Sequence, residues 1–156
     1  MKDPVYVPEK IPDQLEDLTI HAFNRVNTEI NALYHAVSVK AGISDSENRI
    51  LYLLFDTGDG ITQSEIQAAL FLSKQTVNSA IAKMCRDGLL FLAEKTGRQK
   101  RIFLTEGGKR EIQEKIVPLV RLEESIFRSW PQEDRDVFLR LNERFRDEFR
   151  EGIKDL

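Results

Sequence analysis

Apolar residues return every three or four positions from Asp13 to Val39, at Leu15, Leu18, Ala22, Phe23, Val26, Ile30, Leu33, Tyr34 and Val37. One face of a helix carries them all, so the spacing predicts a long helix over 13–39. Such a length exceeds the usual helix of a small globule and calls for a large surface to meet the stripe. Three of the five prolines fall in residues 1–12, which read as an extended arm. Ala41-Gly42 breaks the periodicity. Ser44-Asp45-Ser46-Glu47 is then a capping box, opening a second helix through Ile50, Leu51, Leu53, Leu54 and Phe55 that stops in the turn Asp56–Gly60.

A second capping box, Thr62-Gln63-Ser64-Glu65, starts a short third helix reaching Ala69 or Leu70, with Ile61 and Ile66 at the flanking staple positions. Ser73 caps a fourth helix whose inward face is Val77, Ala80, Ile81 and Met84, with Leu72 and Val77 as a further staple. Asp87-Gly88 ends it. Leu89–Ala93 and Arg101–Leu104 then read as short strands joined through Glu94-Lys95-Thr96-Gly97 and the polar stretch Arg98–Lys100, a β-hairpin wing. Thr105 caps a fifth helix running to Ser129, bent at Pro118. Pro131 marks the start of a sixth, with Val137, Leu141, Phe145 and Phe149 at fourth-residue spacing and Phe138 beside them.

This order gives a mainly α chain with a small β wing (α+β), a winged helix-turn-helix flanked by helices at both ends. The expected division is an arm and long dimerisation helix over 1–40, the winged helix over 41–108, and dimerisation helices over 109–156. The stripe on the last helix, with Ile116, Val120, Phe127 and Trp130 upstream, leaves a large apolar patch on a lone copy, so a homodimer is expected.

Charge sharpens the picture. The chain is acidic overall, at −3, yet residues 73–110 carry nine Lys/Arg against three acids. Residues 1–40, 41–72 and 111–156 are each net acidic. A basic island between acidic segments is the footprint of one polyanion-facing surface. A hydrophobic content of 41% and a charged content of 31% suit a folded, water-facing chain. No apolar run approaches the roughly 20 residues of a membrane span, and the first residues lack a leader's apolar core, so a cytoplasmic protein with no membrane partner is expected. One cysteine forbids an internal disulfide. Two histidines and that cysteine, none at ligand spacing, speak against a metal, and no cofactor motif occurs. With no phosphate loop, no nucleophile–base pairing and no apolar carboxylate pair, the chain does not read as an enzyme.

Positions of the fourth helix turned away from its apolar face are Lys74, Gln75, Asn78, Ser79, Ala82, Lys83 and Arg86. Gln and Asn can pair with adenine N6/N7, and Lys donates to guanine O6/N7. The helices that begin at Thr62 (followed by Gln63 and Ser64) and at Ser73 offer free N–H groups and a positive dipole end to phosphates. Arg98 and Lys100 follow the glycine at the wing tip, where a long cation reaches an adjacent minor groove.

The stretch from Ser44 to Gly108 resembles the MarR family of bacterial transcriptional regulators. The similarity is carried by ITQSEIQAAL, by LSKQTVNSAIAKMCRDGLL, and by the wing stretch GRQKRIFLTEGG. There Arg98, Lys100, Leu104-Thr105 and Gly108 fall on the family's Arg-x-Lys-x-x-x-Leu-Thr-x-x-Gly pattern, although Thr96-Gly97 stand where the family often mixes acidic and basic residues. The resemblance implies DNA contacts by Ser73, Lys74, Gln75, Thr76, Asn78, Ser79 and Lys83, and minor-groove insertion by Arg98. It further implies a dimeric repressor on a pseudo-palindromic duplex operator, relieved by a small aromatic or lipophilic effector. Tyr34, Tyr52, Phe55 and Arg49 are candidates to line the effector cleft, or are plain core residues. Cys85, near Lys83 and Arg86, is either a sensor thiol or an inert small group. His21 and His35 share roughly one face of the first helix and read as structural. A different class of function, a winged helix docking an acidic protein partner, remains open at this level. The short polar residues of the fourth helix favour base edges over it.

Overall fold

The computed structural model describes residues 18–94 and 100–156. The proline-bearing arm, the first turn of the expected long helix with Leu15, and the wing turn with Arg98 lie outside the described residues. The chain divides into two units, Met1–Gly42 and Ile43–Leu156. In the first, α1 spans Leu18–Ala41 and ends at Gly42, whose φ of 69° is the left-handed conformation that glycine adopts at helix ends.

The second unit begins with both halves of the Ser44 capping box. Ser44 N donates to Glu47 Oε2 at 3.0 Å, and Glu47 N donates to Ser44 Oγ at 3.2 Å. They launch α2, Asp45–Thr57. The Thr62 box is equally complete, with Thr62 N donating to Glu65 Oε2 at 2.6 Å, and it launches α3, Gln63–Leu70. Ser73 Oγ accepts from Thr76 N at 3.0 Å and starts α4, Lys74–Arg86. Three local sequence signals therefore produce three helix starts.

Ile50, Leu51 and Leu54 of α2, Ile66 of α3, and Val77, Ala80, Ile81 and Met84 of α4 form the core with Leu90, Ile102, Ile112 and Ile116. The four α4 residues are the expected inward face. Both staple partners, Ile61 and Leu72, pack against this core.

The wing is β2, Leu90–Glu94, and β3, Lys100–Leu104, with Phe91 opposite Phe103. A third strand, β1, Ile61–Thr62, pairs antiparallel with β3, giving the order β1-β3-β2. Two residues are too short for any alternation to reveal. Gly60 makes the strand possible: at φ 85° its N–H reaches Ile102 O at 2.6 Å, and a side chain there would crowd Phe103.

Thr105 Oγ1 accepts from Gly108 N and caps α5, Glu106–Glu111. Ile112–Ile116 is a π-helical turn, and α6, Val117–Ser129, continues from it. Pro118 lacks an N–H and its ring crowds the carbonyl one turn back. The wider turn immediately ahead absorbs that conflict without ending the helix. Pro131 precedes α7, Gln132–Gly152, and a single 3₁₀ turn, Ile153–Asp155, follows. Phe127, Trp130 and Phe138 close the corner between α6 and α7, with ring centroids 4.9–5.8 Å apart. No α7 residue is buried, and Val137, Phe138, Leu141, Phe145 and Phe149 all stand in solvent. The molecule is a mainly α winged helix with a small antiparallel sheet.

Candidate nucleic-acid interface

Burial divides α4 cleanly. Lys74, Gln75, Thr76, Asn78, Ser79, Ala82, Lys83 and Arg86 are exposed, while every fourth-helix core residue is covered. The exposed residues line one side of a helix held at its N-cap by Ser73 and braced beneath by α2 and α3. Ser73 and Thr76 also bond to each other at 2.8 Å, which orders the first turn.

The formal surplus of cations is partly neutralised at home. Lys83 Nζ sits 2.6 Å from Glu47 Oε1 and 3.0 Å from Asp87 Oδ2. These bonds, chiefly that to Glu47, hold the Lys83 ammonium above the usual lysine range. Arg101 donates to Gly60 O at 2.7 Å and lies 3.9 Å from Glu65, and Lys109 pairs with Glu106. Among the described residues, the side chains of Lys74, Arg86 and Lys100 make no hydrogen bond or ion pair with the protein. Gln75 and Asn78 likewise keep their amides for an outside partner. Lys74, Gln75, Asn78, Ser79 and Lys100 are thus exposed, with side chains that bond to nothing else among the described residues. Lys83 is exposed but already held.

At α3 the expected trio separates. Thr62 is buried, its hydroxyl and N–H both engaged by Glu65, whereas Gln63 is half-buried and Ser64 exposed. Ser64 presents an exposed side chain at that helix start, and Gln63 a partly covered one. Lys100 opens β3 opposite Glu94 and is exposed, and the remainder of the wing turn, including Arg98, is outside the described residues.

A family model described as the MarR family matches residues 41–102, a stretch running from the end of α1 into β3. The winged-helix segment is thus similar to the MarR family. Solved structures extend the likeness of fold to most of the chain. The MarR-family regulator NMB1585 from Neisseria meningitidis superposes with a TM-score of 0.75 at 18% identity, covering 89% of this chain and 98% of its own. The MepR–DNA complex of Staphylococcus aureus gives 0.71 at 17% identity, over 83% and 95%. The PcaV regulator of Streptomyces coelicolor, solved with its natural ligand, gives 0.64 at 19%, over 84% and 95%. No curated protein matches the sequence.

The candidate switch residues are placed individually. Cys85 is partly buried beside Met84, and burial pushes its thiol above the usual range, against any activation by Lys83 and Arg86. Lys83 in any case faces Glu47. Tyr52 OH donates to Glu123 Oε2 at 2.7 Å, tying α2 to α6, and Arg49 Nη2 donates to Leu70 O at 2.5 Å at the end of α3. Phe55 is exposed, and Tyr34 lies on α1. Among the described residues no cluster of His, Cys, Asp or Glu is placed to hold a metal, and no helix is long and apolar enough to cross a membrane.

Two residues carry more than the sequence suggested. Glu47 reads as a capping glutamate, but its second oxygen receives Lys83 from 36 positions away. No local pattern announces such a pair. Phe71, in the turn before Ser73, reads only as a link between helices.

Proposed function

We propose that the chain is a dimeric, sequence-specific DNA-binding transcriptional regulator of the cytoplasm, a repressor released by a small aromatic or lipophilic effector. The observation that carries the reading is the two-sided α4: a core face wholly buried, and an outer face of Lys74, Gln75, Asn78 and Ser79 with no partner in the protein. Donors and acceptors of that kind, projected from a braced helix, match base edges in a major groove. The same fold in a solved complex of MepR with DNA, and in PcaV with its natural ligand, supports both halves of the proposal.

The dimer rests on the bare stripe of α6 and α7. Leu122, Ile126 and Phe127 on α6, and Leu141, Phe145 and Phe149 on α7, are all exposed. Each is about half exposed, so covering it with a second copy is worth about half of the 1.5–3 kcal/mol for burying such a side chain fully. A two-fold pair sets recognition helices about 34 Å apart and selects a pseudo-palindromic operator.

The test is selection of bound duplexes from a genomic fragment library by the full chain, followed by fluorescence anisotropy across a salt series. The expected outcome is a recurring inverted repeat with log affinity falling linearly in log salt. A chain that enriches no duplex at low salt refutes the reading.

A further inference from the structure

Phe71 closes the turn between α3 and α4 with φ 53° and ψ 36°, and among the described residues no other non-glycine has a positive φ. Its side chain is 90% exposed. Both facts run against ordinary residue choice. A left-handed turn position suits glycine, which lacks the Cβ that strains it. A phenyl ring left in water also gains nothing from the hydrophobic effect. Helix-turn-helix turns commonly resolve the first difficulty with glycine.

The turn is nevertheless fixed. Leu70 before it and Leu72 after it both pack on the core, and Arg49 Nη2 grips Leu70 O. Phe71 is therefore displayed by a rigid frame, directly ahead of the Ser73 cap and the unpartnered Lys74 and Gln75. The surroundings indicate what it meets. Ser73, Lys74, Gln75 and Thr76 are polar and exposed, the exposed apolar residues just before the turn are the small Ala68 and Ala69, and Phe71 is the one large exposed apolar side chain between Phe55 and Phe91 among the described residues. A protein-docking patch would need apolar neighbours. A groove wall needs only one, because thymine methyls and deoxyribose edges are isolated apolar features beside phosphates.

We propose that Phe71 is an apolar DNA contact, its ring packing on a thymine methyl and the adjoining sugar at the groove wall beside the start of α4. This inference rests on the DNA-binding reading of α4. An apolar contact releases no counterion, so it adds affinity without steepening the salt dependence.

The test uses the full chain, a duplex selected by the wild type, and the variants Phe71→Gly, Phe71→Asn and Phe71→Met. Glycine and asparagine both tolerate the left-handed turn, so melting temperatures at or above wild type are expected. Both should bind about 5- to 20-fold more weakly with an unchanged salt slope, and Phe71→Met should stay within about 2-fold of wild type. Replacing thymines by deoxyuridine in the flank of each half-site should weaken wild type but not Phe71→Asn. Wild-type affinity in Phe71→Gly and Phe71→Asn overturns the assignment and leaves the DNA-binding reading intact. So does a loss that comes with a shallower salt slope or a broken dimer. A wild type that selects no duplex removes both.

Discussion

Lys83 on α4 and Glu47 on α2 meet at 2.6 Å, and the Glu47 side chain is only 4% exposed. The pair ties the last turn of the recognition helix to the first turn of α2, where Ser44 also donates to the same carboxylate. Burial by itself would raise the Glu47 carboxyl, but the bonds from Lys83 and Ser44 outweigh it and hold it below its ordinary value. A carboxyl lowered by folding contributes stability that is complete above its unfolded value near 4.5 and is lost as pH falls through the lower folded value. Urea midpoints should therefore fall on acidification below about pH 4.5. Glu47→Gln should flatten that fall, and an unaltered acid limb in the variant would show the pair to be inert.

Lys83→Met isolates the other half of the contact. It leaves a buried carboxylate without its cation, an arrangement that destabilises more than removal of both partners. The expected result is a lower melting temperature at pH 7, recovered in part by the double variant Lys83→Met with Glu47→Gln. Because Lys83 is already held by Glu47 and Asp87, its loss should change the salt slope of DNA binding less than loss of Lys74. An equal change in slope would return Lys83 to the contacts with DNA.

Readers and positioners should separate in binding data. Gln75→Ala and Asn78→Ala are expected to relax preference at particular base pairs by about 1–3 kcal/mol per lost contact. Lys74→Ala and Lys100→Ala should weaken all sequences alike and each lower the salt slope by about one. Arg98→Ala is expected to weaken most sequences as well. Anisotropy titrations against the selected operator and single-base variants distinguish the two behaviours, and a uniform loss across all five substitutions would refute the division.

Gly108 shows why a small residue occupies that place in the wing stretch. A Cβ there would press into the Leu89 carbonyl oxygen and come within 2.9 Å of the Leu104 side chain. Leu89 O is also the acceptor for Thr105 N, so the backbone has no room to yield. Gly108→Ala should cost at least about 1–3 kcal/mol, the range for overpacking a filled site. A urea unfolding curve that matches wild type would contradict it.

What could be read in advance follows the range of each interaction. Capping boxes act between a residue and its third neighbour, so Ser44–Glu47 and Thr62–Glu65 were visible in four letters, and both are formed. The inward face of α4 followed from its period. β1 was invisible because Ile61 and Thr62 become a strand only when β3 lies alongside. The π turn before Pro118 is likewise a choice among ways to accommodate a proline, settled by Ile112 and Ile116 docking in the core. In the candidate interface, the exposure of Lys74, Gln75, Asn78 and Ser79 was readable from the helix period alone. Thr62 differs because the box that starts its helix also engages its hydroxyl, and Lys83 because its partners sit on another helix or a turn away.

Cys85 should behave as a protected thiol. Its partial burial raises the thiol above the ordinary range, which lowers the thiolate fraction at pH 7. Alkylation should be slower than for a free model thiol, and peroxide treatment should leave operator affinity unchanged. A fall in affinity that thiol reductants reverse would instead make it a sensor.

The stripe on α7 offers the most direct challenge to the dimer. Phe145 and Phe149 stack at 5.8 Å yet remain 44% and 60% exposed, an arrangement that leaves two aromatic faces in water on a single copy. Because no α7 residue is buried within its own chain, substitution there should spare the winged-helix core. Phe145→Ser combined with Phe149→Ser removes about 1.5–3 kcal/mol of burial per copy if the faces pair, because each ring is only about half exposed beforehand, or about 3–6 kcal/mol per dimer. That is enough to move a micromolar dimer to monomer. Sedimentation should then show a monomer with native circular dichroism, and operator binding should fall far more than binding to a single half-site. A variant that stays dimeric would place the interface elsewhere, and a wild type that sediments as a monomer would remove the two-fold operator from the proposal.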